Sequence, residues 1–339
     1  MRTVILLYGG RSYEHDVSVI SAVQIGELWE ASDRLVPVYL RDGEMWVVRD
    51  WKRYAAYTGE VRGKRVSLAR GGIRVGHRYL PVDAALLVTH GGEGEDGTIA
   101  AMLDYYQIPY TACAPLSSAI CMDKITCKGV LRSLGIPVVE GGEAEEGVVP
   151  PLPAICKPAR LGSSIGVSVA RTEEAWRNAY YRALEYDNRV LYETYIEGAM
   201  EYNQAAVRRG KDVVLSAIER PAFEGDAYTF GQKYKRECAH ELPALVSDDL
   251  RAAIEETTMT VYTRLNLWGV VRVDYLYDGT RLYVNEINTI PGSLSFRLFA
   301  AVGMPMSELT DILIDNARYT PAPKVAYGEL LGELVGQYK

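Results

Sequence analysis

Two strand-like runs near the carboxyl end, GVVRVDYLYD (residues 269–278) and RLYVNEIN (residues 281–288), are joined through Gly279. Both are rich in Val, Tyr and Leu, the composition of strands, and so short a link brings them together antiparallel. Side chains two apart on a strand share a face. Antiparallel pairing therefore lets Asp274, Glu286 and Asn288 converge beside the guanidinium of Arg272. Oxygen donors of this kind suit a magnesium ion that also binds ATP phosphates, and they equally suit a cross-strand surface salt bridge. Both readings fit the hairpin taken alone.

The chain has 339 residues, enough for two or three domains. TVILLYGG, followed by Val17, Ile20 and Val23 at helical spacing, predicts strand, tight turn and helix. Leu35 to Leu40 and Ala84 to Val88 read as further buried strands. This alternation predicts an open parallel sheet over the first 110 or so residues, with its ligand edge at the strand carboxyl ends. Beyond Pro115, SSAICMDKITCKGVLRSLG predicts one amphipathic helix stopping at Gly135 and Pro137. EGGEAEEGVVPPLP reads as an exposed connector, and LPAICKP and GVSVA as two strands bracketing ARLGSSI. A long loop around 220–243 and a helix near 248–264 complete the outline.

A net charge of −7 argues against a chain-wide nucleic-acid footprint and favours small-molecule partners. The opening MRTVILLYGG is too short for a signal-peptide core or a bilayer span, so the expectation is a cytosolic protein without membrane association. Five scattered cysteines (113, 121, 127, 156 and 238) without CxxC spacing predict free thiols. Only four histidines and no close His or Cys cluster argue against zinc.

Several segments carry candidate chemistry. In KPARLGSSIG (157–166), Gly162 and Gly166 allow a turn whose N–H groups, with the hydroxyls of Ser163 and Ser164 and the charge of Lys157, can cradle phosphate. The order is not that of a P-loop, and a plain hairpin loop has the same composition. Glu14, between a strand end and a helix start, either caps that helix or binds a substrate ammonium. HGGEGEDGT (90–98) places His90, Glu93, Glu95 and Asp96 in a glycine-rich loop that also reads as a solvated acidic turn. QKYK (232–235) lies in the long loop, in a position that suits an active-site lid.

Taken in order, GGRSYEHDVS, HGGEGEDGTIAAMLDYYQIPYT, MDKITCK, KPARLGSSIGVS, LYETYIEG, QKY, RVD and NEINTIPG resemble the D-alanine–D-alanine ligases of the ATP-grasp superfamily across nearly the whole chain. The resemblance implies a three-domain α/β ATP-grasp fold. Residues 1–114 would form the amino-terminal domain with its open parallel sheet, 115–194 the central subdomain, and 195–339 the carboxyl-terminal subdomain with a lid loop at 220–243. ATP would lie between the last two. By the same resemblance Lys124, Lys157, Ser164 and Lys233 contact ATP phosphates; Glu193 with the backbone of Tyr195 and Ile196 holds the adenine; and Glu201 meets the ribose. Asp274, Glu286 and Asn288 match ligands for two magnesium ions, with manganese as a substitute. Glu14 would bind the ammonium of the first D-alanine in a hydrogen-bonded group with Ser163 and Tyr234, with His90 and Glu95 supporting that pocket. Arg272 and the N–H of Gly292 resemble an oxyanion site. The family also implies a homodimer.

The stretch after Gly292 departs from the family. GSLSFRLFAAVGM reaches its Gly-Met pair about one helical turn early, so the second-substrate site does not transfer residue by residue. Ser293, Ser295 and Arg297 are candidates by chemistry, a guanidinium being suited to a carboxylate; Arg297 as a surface residue of a shortened helix is the alternative. A tyrosine at position 234 goes with a dipeptide product in this family, so D-alanine or D-serine is expected as second substrate, D-alanine in peptidoglycan precursor synthesis. A ligase of the same fold acting on another acid and amine is the competing enzyme reading. A silent ATP-binding protein is disfavoured because phosphate, magnesium and oxyanion candidates occur together, and a nicotinamide oxidoreductase because YGGRSY is not a GxGxxG turn.

Overall fold

The computed structural model describes residues 1–30, 32–221, 240–321 and 331. The expected lid residues Lys233 and Tyr234, and Cys238, lie outside the described residues.

Among the described residues the strands form three sheets. The first contains β1 (Thr3–Gly9), β2 (Arg34–Arg41), β3 (Glu44–Val48), β4 (Gly63–Ala69), β5 (Gly72–Val75), β6 (Arg78–Pro81) and β7 (Ala84–Leu87), in the order β6-β5-β4-β3-β2-β1-β7. Only β2, β1 and β7 run parallel; α1 (His15–Glu27) carries the crossover from β1 to β2. The expectation of a parallel sheet therefore needs correction, because β3 to β6 form an antiparallel meander. The reason is local. Asp42 and Gly43 both adopt positive φ (54° and 78°), the backbone of a two-residue hairpin, and so tight a turn cannot make a parallel crossover. Helix α2 (Thr98–Tyr105) follows this sheet.

The predicted single helix after Pro115 is two helices, α3 (Pro115–Met122) and α4 (Lys124–Ser133). Asp123 breaks them: its backbone is extended, and its carboxylate accepts the N–H of Thr126 at 2.9 Å as the cap of α4. The second sheet, antiparallel in the order β10-β9-β11-β8, is built from β8 (Gly141–Glu143), β9 (Ala154–Pro158), β10 (Ser168–Ala170) and β11 (Val190–Thr194). The segment expected as a connector thus supplies the edge strand β8. Helix α5 (Glu173–Leu184), capped by Thr172, buries Trp176, Ala179 and Ala183 against this sheet.

The third sheet, in the order β14-β13-β12-β15-β16, comprises β12 (Met200–Arg209), β13 (Asp212–Pro221), β14 (His240–Glu241), β15 (Val270–Tyr277) and β16 (Leu282–Asn288). Its core is shared with α3, α4 and α6 (Asp248–Arg264) through Cys121, Leu131, Ile254 and Tyr262. After β16, a 3-10 turn (Gly292–Ser295), α7 (Phe296–Ala300) and α8 (Met306–Asp315) return to the first sheet, where Leu294, Phe299 and Leu309 join the core of Val4, Leu6 and Leu86. This return packs the turn after β16 against α1, where the Ser293 N–H meets Ser21 Oγ. No helix among the described residues is long and apolar enough to cross a membrane. Cys113, Cys121, Cys127 and Cys156 are free, buried thiols.

Candidate active site

The hairpin of β15 and β16 forms antiparallel, with Arg272 opposite Asn288 and Asp274 opposite Glu286. Arg272 grips Asp274 with a two-pronged hydrogen bond, Nε to Oδ1 at 2.6 Å and Nη2 to Oδ2 at 2.8 Å. The amide of Asn288 donates to Asp274 Oδ2 at 3.0 Å. Burial disfavours the Arg272 cation, but Asp274, Glu219 and Glu286 outweigh it and raise its pKa. No group of three His, Cys, Asp or Glu ligands is gathered for a metal among the described residues. Two carboxylates and an amide are hard oxygen donors too few to enclose a cation, which fits magnesium sharing its shell with phosphate and water.

Lysines stand on the β16 side of this row. Lys124, at the start of α4, donates to Leu161 O at 2.8 Å and lies 3.5 Å from Glu286 Oε2. Lys157 on β9 reaches Glu193 Oε2 at 2.5 Å and Asn285 Oδ1 at 3.3 Å. Lys128, which the sequence reading missed, also pairs with Glu193. Its signal was legible: it follows Lys124 by one helical turn in MDKITCK. Burial alone would raise the Glu193 pKa, yet Lys128 and Lys157 hold it at about 2. Burial also lowers the Lys128 pKa, against the pull of Glu193. Tyr195 donates its N–H to Pro153 O at 3.0 Å, and its ring lies under the Arg171 guanidinium at 5.0 Å.

Glu14 does not act as a helix cap through its side chain, although it occupies the cap position of α1. Its carboxylate instead accepts the hydroxyl of Ser163. Ser163 and Ser164 are consecutive left-handed residues (φ 53° and 57°), which turns the KPARLGSSIG loop toward α1. Glycines make room for this contact, since a Cβ on Gly91 or Gly162 would lie 2.6 or 2.7 Å from Glu14 Oε2. Glu95 accepts the N–H of Gly91 at 2.9 Å and of Ile290 at 3.0 Å, tying the glycine-rich loop to the end of β16. Burial, then the nearby Glu14 carboxylate, pushes Glu95 up to about 8. His90, bonded through Nε2 to Ser21 Oγ at 2.9 Å, is lowered by burial to about 4.

One cavity of about 360 Å³ joins these groups. Glu14, Ser163, Arg272, Asp274, Glu286 and Gly292 all line it, and a Cβ on Gly292 would meet nothing within 4 Å. His90, Glu95, Glu201, Asn288, Ser293, Ser295 and Arg297 also border it. Lys157, Ser164, Glu193, Tyr195 and Ile196 do not, and lie toward the second sheet. A larger concavity of about 1450 Å³ over the first sheet contains none of the candidate residues. The Ser293 N–H donates to Ser21 Oγ at 2.9 Å and its hydroxyl to Gln24, while Ser293, Leu294 and Ser295 are all left-handed. Asn203, Glu219 and His240 line the cavity and were missed, because only strand register brings β12, β13 and β14 to it.

The sequence model for the D-ala D-ala ligase N-terminus matches residues 3–113, and that for the D-ala D-ala ligase C-terminus matches 143–315. A D-alanine–D-alanine ligase of Thermosipho melanesiensis is 32% identical over 339 residues, covering 93% of each sequence. The crystal structure of D-alanine–D-alanine ligase from Helicobacter pylori is similar with a TM-score of 0.81 and 26% identity, over 95% of this chain and 100% of that one. The VanG D-Ala:D-Ser ligase of Enterococcus faecalis also superposes with a TM-score of 0.81, at 25% identity over 93% and 98% of the two chains.

Proposed function

We propose that this chain, which belongs to the D-alanine–D-alanine ligase family, joins D-alanine to a second D-amino acid, D-alanine first among the candidates, for peptidoglycan precursor synthesis. It is an ATP-dependent ligase of the ATP-grasp fold. The observation that carries the residue assignments is the meeting, in one cavity, of the Glu14–Ser163 pair with the Arg272–Asp274–Glu286 row.

A carboxylate is a poor electrophile, so the reaction first needs ATP's γ-phosphoryl group on the carboxylate of the first D-alanine. Glu14 holds the ammonium of that substrate, and Ser163 fixes the Glu14 carboxylate. Lys124 and Lys157 offset charge on the phosphates, with Ser164 in the same loop; Glu193, Tyr195, Ile196 and Glu201 face the nucleoside. Asp274, Glu286 and Asn288 would hold magnesium, or manganese in its place, which supplies Lewis-acid stabilisation of phosphate charge. The second amine attacks the acyl carbon, and Arg272 with the Gly292 N–H receives the negative charge on the carbonyl oxygen. Phosphate then leaves. Lys233 and Tyr234 belong to the segment that would exclude water from the acylphosphate. The expected division is 1–114, 115–194 and 195–339, with one sheet in each, although α3 and α4 share the core of the third sheet; a homodimer is the expected assembly.

Phosphate release from ATP, measured with D-alanine alone and paired with other D-amino and D-hydroxy acids, with product mass determined, tests this reading. The expected product is D-alanyl-D-alanine. No release with any pair containing D-alanine rejects it.

A further inference from the structure

The metal-side row does not end at Asp274. Strand register continues it as Glu286, Asp274, Asn203 and Glu219, one residue from each of β16, β15, β12 and β13. Glu219 is thus two strands from Asp274, roughly 10 Å at the usual spacing of paired strands. Its carboxylate is buried, with a side chain only 10% exposed, and borders the cavity shared with Arg272 and Gly292.

Among the described residues, three charged or titratable groups face it. His240 on β14 places Nδ1 3.2 Å from Glu219 Oε1, and Arg297 on α7 places Nη2 3.5 Å from the same oxygen. Arg272 on β15 is the third, already committed to its fork on Asp274. The Arg297 contact is long at 3.5 Å, and the Arg297 side chain is 55% exposed. A buried carboxylate is costly unless paired, and this one has a partner that a ligand can displace.

The two ends of the row divide the labour of an acyl transfer. Lys124 and Lys157 stand by Glu286 and Asn285 on β16, so phosphate belongs at that end. The β13 end is left for the incoming amine. A free α-amino acid arrives as a zwitterion, and Glu219 and Arg297 together present the opposite pair of charges.

We propose that Glu219 binds the ammonium of the second D-amino acid while Arg297 turns from Glu219 to bind its carboxylate. The proposal rests on the ligase reading above. The ammonium displaces the Arg297 guanidinium from Glu219 Oε1 and is held facing the acyl carbon. Once one N–H proton has left to Glu219, the nitrogen bonds to that carbon, and the bond from carbon to the phosphate oxygen breaks as the resulting oxyanion collapses. The ammonium loses two protons in making the amide: one passes to the Glu219 carboxylate and on to solvent, the other leaves on hydrogen phosphate.

Hydroxylamine separates the two halves of the reaction, because it traps an acylphosphate as a hydroxamate and enters as a neutral nucleophile. For Glu219→Gln, the KM for D-alanine at the second site should rise roughly 10- to 100-fold, the loss of one charge-assisted contact. Hydroxamate formation from D-alanine and ATP persists in the same protein, which also reports that it is folded. Glu219→Asp should recover part of the affinity, and Arg297→Ala should raise the second-site KM with hydroxamate formation retained. An unchanged second-site KM in Glu219→Gln overturns the ammonium assignment, as does a parallel fall of hydroxamate and dipeptide. An unchanged second-site KM in Arg297→Ala overturns the carboxylate assignment. Wild-type protein that gives neither hydroxamate nor phosphate with D-alanine overturns the ligase reading and this proposal together.

Discussion

The hydroxyl of Ser163 donates to the carboxylate of Glu14 across 149 positions of sequence, joining the loop after β9 to the first turn of α1. Glu14 makes no capping bond, and the two parts of the chain meet at the carboxylate proposed to hold the substrate ammonium. Ser163→Ala should therefore raise the KM for the first D-alanine roughly tenfold or more, the value of a hydrogen bond to a charged group. Gly162→Ala should act at the same site by pushing on Glu14, whose Oε2 would lie 2.7 Å from the new Cβ. Initial rates at saturating ATP, alongside thermal melts, separate this effect from loss of fold.

Asp274 and Glu286 are direct cross-strand partners beside the cavity. Asp274→Asn and Glu286→Gln should each lower kcat by roughly 100-fold or more if they position a metal that stabilises phosphate charge. Wild-type activity should vanish in a chelator and return with added magnesium or manganese. A full rate in chelator rejects the metal assignment.

Replacing Arg272 by Lys keeps a charge but loses the fork on Asp274, whose prongs measure 2.6 and 2.8 Å. Steady-state kinetics of Arg272→Lys should show a fall in kcat on the order of 100-fold, the effect of removing one oxyanion donor. Unchanged kcat removes Arg272 from that role.

Glu193 is clamped by Lys128 and Lys157, and removing one partner of such a buried group is costly. Glu193→Gln should destabilise the fold by about 3–5 kcal/mol, read from denaturant unfolding. The pH dependence has a defined sign. Glu193 falls from its ordinary 4.5 to about 2, so its contribution is present above 4.5 and is lost as pH drops toward 2.

His90 adds an earlier acid-sensitive window. Its pKa falls from 6.5 to about 4, so the unfolded chain takes up its proton first and stability declines as pH drops between those values. Glu95, raised from 4.5 to about 8, works in the opposite sense across the overlap. The difference in Tm between wild type and His90→Gln, followed with pH, isolates His90. A constant difference from pH 7 to pH 4 contradicts the assignment.

Local chemistry was legible in the sequence where one element contains all of it. The hairpin of β15 and β16 follows from two runs joined through Gly279, but the Asp274–Glu286 pairing depends on a register shift between Asp274 and Tyr275 that side-chain alternation alone does not give. Lys124 and Lys128 are equally local, one helical turn apart on α4. The meander β3 to β6 was missed because short strands with mixed polarity resemble loop, and the break at Asp123 because the apolar periodicity runs through it.

The sequence by itself determined the strand hairpin, the glycine-rich turns and the inventory of acids and cations, because these depend on backbone sterics and side-chain period. Tertiary structure alone decided which of them meet. Glu14 reaches Ser163 because the loop after β9 adopts left-handed geometry at Ser163 and Ser164. Glu219 joins the row of Asp274 through β12, a neighbour in space and not in sequence, by hydrogen-bond register. A one-residue slip of that register would turn Glu219 to the opposite face of the sheet, so its place beside the cavity is a property of pairing, which no single segment encodes.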